Sequence, residues 1–242
     1  MWHFWLTAFA VLLLQSTTGH AQGLEITLGE GASVTGASIQ LIALITVLSL
    51  APGLAMMITC FPFVVTVLSI MRQAIGLQQA PPNMLIVSLA LFITYYVMDP
   101  VFSTAWDAGI GPFMREELDL AEAAQRALVP FKEFMALRID PGTYASLAEL
   151  RPDSIAQVPA PDGPLSVLVP SFLLSEVARA FQVGFIIFLP FLVIDLVVAA
   201  ILMAMGMMMV PPAIVSLPFK LAFFVVADGW ALVTGSLVQS YF

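Results

Sequence analysis

Histidine, cysteine and basic residues are what this chain has least of. Its 242 residues include two histidines, one cysteine and eight Lys and Arg, against 16 Asp and Glu, for a formal charge of −8. Phosphate backbones are bound by a basic footprint that displaces counterions, so this balance argues against nucleic acid as a partner. Polybasic attraction to anionic lipid is excluded on the same ground. Both histidines, His3 and His20, precede Gln22. Once a leader ending at Ala21 is removed, no imidazole is left for a catalytic triad or a zinc site. The lone Cys60 lies in an apolar run and reads as a small buried hydrophobe, with no second thiol for a disulfide. No G-x-x-x-x-G-K stretch offers a phosphate cradle. The chain is therefore read as non-enzymatic, without cofactor or metal.

What it has in excess is apolar sequence. Hydrophobic residues make up 60% and charged residues 10%, against about 25% charged in soluble domains. Fifteen of the charges fall between Asp107 and Asp162, so one polar segment is set into an otherwise apolar chain. The expected fold is an all-α integral membrane protein of two broken helical hairpins, four apolar segments in all, with an acidic insert that carries an amphipathic helix.

Residues 1–21 read as a signal peptide, with an apolar stretch from Phe4 to Leu14 and a small-x-small site, Gly19-His20-Ala21, before Gln22. Its start lacks Lys and Arg, which leaves a retained short anchor as the alternative. Residues 22–40 are a polar, flexible connector outside the cytoplasmic membrane. Residues 41–103 form the first hairpin. Leu41–Met71 carries no charge over 31 residues, longer than a straight span needs, and is expected to break at Pro52, Gly53 and Pro62. Met84–Met98 is the return limb, ending at Asp99-Pro100.

Residues 104–170 form the insert. Leu118, Ala121, Ala124, Leu128, Phe131 and Met135 predict one apolar helix face, with a kink or restart at Pro130. Pro152, Pro159, Pro161, Pro164 and Pro170 predict a stiff extended connector. Residues 171–242 form the second hairpin, apolar from Ala180 to Val210, turning at Pro211-Pro212 and returning to Phe242. An exterior N-terminus places the insert and the C-terminus on the periplasmic side.

Ionisable residues inside apolar runs are expensive and demand partners. Asp195, Lys220 and Asp228 are the candidates for buried charges. In a straight hairpin turning at Pro211-Pro212, Asp195 lies about 24 Å from the turn and Lys220 about 12 Å, too far apart for a lysine stem to bridge. Asp228 would face Asp195 instead. Bending at Pro190 or Pro218, a partner from another subunit, or segments raised out of lipid would each resolve the mismatch. A register-fixing ion pair is favoured over a proton or ion path, because no acidic or His relay continues from these residues.

The other candidate is Met203–Met209, which holds five of the 13 methionines. Met207, Met208 and Met209 are consecutive and cannot share one helix face. Gly206 before them and Pro211-Pro212 after them permit unwinding, which would turn all three thioethers into one lumen as a soft seal. Apolar filler facing lipid is the alternative.

Several stretches resemble the bacterial flagellar export-gate family FliP: Leu48–Thr59, Arg72–Asn83, Pro130–Met135, Ser175–Gly184, Phe191–Ala199, Met205–Pro212, Ser216–Leu221 and Asp228-Gly-Trp230. They occur in the family's order and spacing from Leu48 to the C-terminus. The resemblance implies a subunit of the type III secretion export gate in the flagellar basal body, a pentamer in the family, assembling with FliQ and FliR. It also implies a lumen for unfolded flagellar export substrates, hairpins lifted largely out of the bilayer plane, and a methionine gasket at Met207–Met209. Where the family usually has an Arg, this chain reads Thr59-Cys-Phe-Pro-Phe63, so no role of that Arg is carried over. The related injectisome subunit of virulence-type secretion shares the Pro-Pro-Asn and Gly-Met-Met-Met blocks but generally lacks a cleaved signal and a long acidic insert. An ion- or proton-coupled transporter using Asp195, Lys220 and Asp228 is the reading from a different class.

Overall fold

The computed structural model describes residues 34–77, 80–151 and 161–242. The leader with Ala21, most of the connector, and Pro152 and Pro159 lie outside the described residues. By its contacts the chain divides into two units, 1–49 and 50–242. Residues 34–49 are helical, and Ile39, Ile42, Ile45 and Leu48 among them are exposed.

Among the described residues every regular element is helical. Helix α1, Val34–Met57, runs through Pro52 and Gly53. That corrects the expected break there: a proline costs its helix one hydrogen bond and some crowding, which a long apolar helix tolerates. The chain turns at 58–60 instead. Thr59 Oγ1 donates to the Met56 carbonyl at 3.0 Å, and α2, Phe61–Ile75, begins with Pro62 in its first turn. A proline there needs no N–H partner, so Pro62 starts a helix instead of breaking one.

Helix α2 is the centre of the unit. Phe63, Val64, Val67, Leu68, Met71, Ala74 and Ile75 are buried on several faces, against α3 (Asn83–Ala105) on one side and α7 (Leu165–Ala204) on another. The α2–α7 contact is the most extensive among the described residues and is close because Gly184 presents only backbone to Ile70. A Cβ on Gly184 would lie 2.5 Å from Ile70 Cδ1. At the end of α2, Gly76 takes φ 87°, a left-handed cap suited to glycine. Arg72 fastens the following loop by donating to Pro81 O at 3.2 Å and Asn83 Oδ1 at 2.5 Å.

The limb expected to stop at Asp99-Pro100 continues. Pro100 lies inside α3, which passes through a π-helical turn, Trp106–Ile110, into the short α4, Gly111–Met114. Polar sequence does not end a helix whose backbone stays bonded, and Asp99 sits on its exposed side. Gly109 in the π turn touches the backbone of α5, Leu120–Arg138.

Helix α5 is capped by Asp119, whose Oδ1 accepts from Glu122 N at 2.7 Å. It runs unbroken through Pro130, against the expected restart. Its inner face is Ala123, Pro130 and Met135 with Phe131 and Phe134 half-buried, whereas Ala121, Ala124 and Leu128 are exposed. The predicted stripe is right at half-buried Leu118 and from Phe131 onward, while between them Ala123 and Ala127 turn inward in place of Ala121, Ala124 and Leu128. The close seat of Gly109 selects the small residues Ala123 and Ala127, a contact that hydrophobicity does not signal.

Asp140 caps α6, Pro141–Glu149, accepting from Thr143 N at 2.8 Å, and this bond holds its carboxyl below the usual carboxylate range. Tyr144 and Ala148 of α6 pack with Met135 and Ile139 against Val167, Leu168 and Phe172. The last three belong to α7, which begins six residues earlier than the expected hairpin start at 171. Pro164, its N-cap, is extended as expected, whereas Pro170 lies inside the helix and is not part of the connector. Burial of α7's first turns against α5 and α6 outweighs one missing N–H.

Helix α7 has 40 residues, about 60 Å, twice the hydrocarbon thickness of a bilayer. It stops at Ala204, short of the expected Val210. Residues 205–211 form a loop, α8 spans Pro212–Val226, and α9 spans Gly229–Gln239 after a 61° bend. Two helical stretches, Asn83–Met114 and Leu165–Ala204, are long and apolar enough to cross a membrane, or up to four if each bent pair counts as one span.

Candidate functional site

The loop at 205–211 is built by Gly206. It adopts φ 74°, a left-handed conformation with no steric cost to glycine, and its N–H donates to Met203 O at 3.0 Å. Met207 N donates to Leu202 O at 2.9 Å, closing the end of α7. Pro211 is the N-cap of α8 and Pro212 lies in its first turn, where no N–H is needed. Between these two fixed ends the methionines project outward. Met208 is 84% and Met209 97% exposed, and Met207, at 38%, covers an apolar cavity of about 500 Å³ between α7 and α8.

Unwinding also resolves the charge mismatch. The helices end at Ala204 and restart at Pro212, so Asp195 lies nine residues before one end and Lys220 eight residues after the other. The two are level. Lys220 Nζ donates to Asp195 Oδ2 at 2.5 Å, and Ser216 Oγ donates to Asp195 Oδ1 at 2.5 Å. No bend at Pro190 or Pro218 is required, and the pair closes within one chain. Lys220 is 6% exposed and the Asp195 side chain 37%. The ammonium also sits beside the end of α2, since a Cβ on Gly76 would lie 4.0 Å from it. Carbonyls at a helix C-terminus favour a cation there.

Asp228, grouped with the buried charges from sequence, is exposed. It occupies the break between α8 and α9 at φ 48°, not a level on α8 opposite Asp195. The two facing carboxylates that a shared proton would need are not brought together.

The sequence analysis missed a second ionic cluster. Glu176 on α7 is fully buried and holds Arg138 Nε at 3.0 Å and Arg179 Nη1 at 3.1 Å, both on Oε1. Its Oε2 accepts from the Tyr241 hydroxyl. Arg138, the last residue of α5, also donates from Nη1 to Ser240 O at 2.8 Å and lies 4.0 Å from the centre of the Tyr241 ring. One guanidinium thus gathers α5, α7 and the residues after α9. Glu176 and Arg179 at i,i+3 before an apolar run were the signal available in the sequence.

Residues 44–237 match the model of the FliP family. The chain is 48% identical over 240 residues to the flagellar biosynthetic protein FliP of Caulobacter vibrioides, covering 98% of this chain and 88% of that one. It is 43% identical to the Bacillus subtilis protein of the same name, over 84% of this chain and 92% of that one. With the Aquifex aeolicus protein of that name it shares 41% identity over 97% and 98% of the respective chains.

Proposed function

Because this chain belongs to the FliP family, we propose that it is a pore-forming subunit of the flagellar type III protein export gate, passing unfolded flagellar proteins across the bacterial inner membrane. The observation that carries this reading is the loop of consecutive methionines. It is fixed at both ends by helix termini and a buried ion pair, and its thioether side chains are free to line a lumen. Flexible, polarisable side chains of this kind can close around an empty channel and yield to a passing chain of any sequence.

A lumen needs several copies. The exposed apolar face of α7, with Phe185, Ile186, Leu189, Leu192 and Leu196, supplies surface for neighbours. In this reading the copies form a ring, a pentamer as in the family, with FliQ and FliR completing the gate. It resides in the inner membrane and the flagellar basal body, with the N-terminus, the insert and the C-terminus on the periplasmic side. The exposed position of Asp228 weighs against a transporter built on paired carboxylates. Deleting the gene should abolish secretion of flagellar proteins, filament growth and motility, and a plasmid copy should restore all three. Normal filaments in the deletion strain would overturn the proposal.

A further inference from the structure

Helix α9 is held at its ends and only thinly packed between them, where Leu237 enters the core and Val233 and Val238 lie half-buried against it. Of its 11 residues only Gly229 and Leu237 are buried. On one flank an open groove of about 480 Å³ is lined by Thr234 and Val238 together with Leu89 and Ile93 of α3. On the other, a cavity of about 430 Å³ is lined by Val233 and Ser236 together with Val183 and Ile187 of α7. Gly235, midway along, has nothing within 4 Å of where a Cβ would stand.

The two ends are different in kind. At the start, Asp228 takes a left-handed φ of 48° without bonding its side chain to the helix, a conformation a non-glycine residue adopts at a cost. Beside it, Gly229 lies so close to Phe224 that a Cβ would meet the ring at 2.2 Å. This is a hinge seated on an aromatic ring. At the finish, Ser240 and Tyr241 are caught. Arg138 donates to the Ser240 carbonyl and covers the Tyr241 ring, the Tyr241 hydroxyl donates to buried Glu176, and the ring stacks on Phe134 at 6.0 Å and meets Phe63 edge-on at 5.7 Å. A buried carboxylate, a guanidinium and two aromatic rings converge on one side chain.

We propose that α9 is a strap, hinged at Asp228-Gly229 and fastened by a Tyr241 latch on Arg138 and Glu176. Fastened, it joins the end of α5 in the polar insert to the limb that begins at the methionine loop. Released, it swings on the hinge, because between its ends only Leu237, with half-buried Val233 and Val238, holds it to the core. Removing the latch therefore loosens α9 selectively, without loosening the α2 core. This claim concerns the fold of the single chain and stands whether or not the chain forms an export gate.

Hydrogen exchange on the full-length protein in mild detergent tests it, comparing the unaltered chain with Tyr241→Ala and Tyr241→Phe. Amides of residues 233–239 should exchange about tenfold faster in Tyr241→Ala and by a smaller factor in Tyr241→Phe, which keeps the ring under Arg138, while α2 amides keep their protection. Unchanged α9 exchange in Tyr241→Ala overturns the latch. Equal acceleration of α2 and α9 also overturns it, since that marks general loosening. Leu232→Ala removes an exposed side chain of the same helix, and an effect from it as large as that of Tyr241→Ala would count against the latch as well.

Discussion

Lys220 and Asp195 are partners of unequal burial, and that inequality predicts unequal consequences. Asp195→Ala strands an ammonium that is 6% exposed, whereas Lys220→Ala leaves a carboxylate with a 37% exposed side chain still bonded to Ser216. The first should cost about 3–5 kcal/mol, the range for breaking a buried pair, and the second about 1 kcal/mol. Denaturation of the purified variants in mixed micelles measures both, with the double swap recovering part of the loss. Equal losses, or a greater loss at Lys220, would contradict the assigned burial. The need for a partner at Asp195 was legible in the sequence because a charge in an apolar run is costly anywhere. The identity of the partner was not, since helix arithmetic carried through Val210 misplaces Asp195 by the seven residues, 205–211, that are loop. Glu176 escaped notice for a related reason. Its neighbours in space, Arg138 and Tyr241, are 38 and 65 residues away in sequence.

Helices in this chain end where the backbone finds another way to satisfy itself, not wherever a proline occurs. Pro52, Pro100, Pro130, Pro170 and Pro190 all lie inside helices, while the breaks at 58–60, 205–211 and 227–228 are formed with Thr59, Gly206 and Asp228. Proline alone therefore misled the sequence reading at Pro52-Gly53. It guided well at Pro211-Pro212, where Gly206 supplied the left-handed turn. Helix contacts were less legible still, because they rest on glycines that look like any others. At Gly184 an added Cβ would strike the end of Ile70, a side chain whose Cδ1 can rotate away although its Cβ stays 3.2 Å off. At Gly109 it would lie 2.4 Å from Ala123 O and 2.8 Å from Ala127 N, and backbone yields only if α5 moves as a body. Gly184→Ala should cost about 1–3 kcal/mol by overpacking, and Gly109→Ala more than that. Micelle denaturation ranks the two, and a harmless Gly109→Ala would mean that the π turn is not seated on α5.

The 40-residue α7 organises the unit 50–242 because it is too long for one environment. Its first turns pack in a cluster with Met135 and Tyr144, and its last turns carry Asp195 and end at the methionine loop. Separate sites are thereby fixed on one rod: the Glu176 cluster beside the polar insert, and the methionines about 40 Å away along the axis. Charge segregation in the sequence announced that division, and the consecutive methionines announced the loop. The physical question at this scale is whether the loop seals a lumen or merely faces lipid. Replacing Met207, Met208 and Met209 together with Ala removes the deformable side chains. Gly206, Pro211 and the Lys220–Asp195 pair, which form the loop and hold its ends, stay in place. If the three seal a resting gate, cells carrying the variant should still assemble it and should leak small ions, slowing growth in high salt, because a shortened hydrophobic ring no longer excludes water. If they are apolar filler, Ala serves nearly as well and permeability stays unchanged. Ion flux measured alongside gate assembly by native gel therefore decides between them, and a fully assembled triple variant with normal permeability would return these residues to the lipid-facing surface.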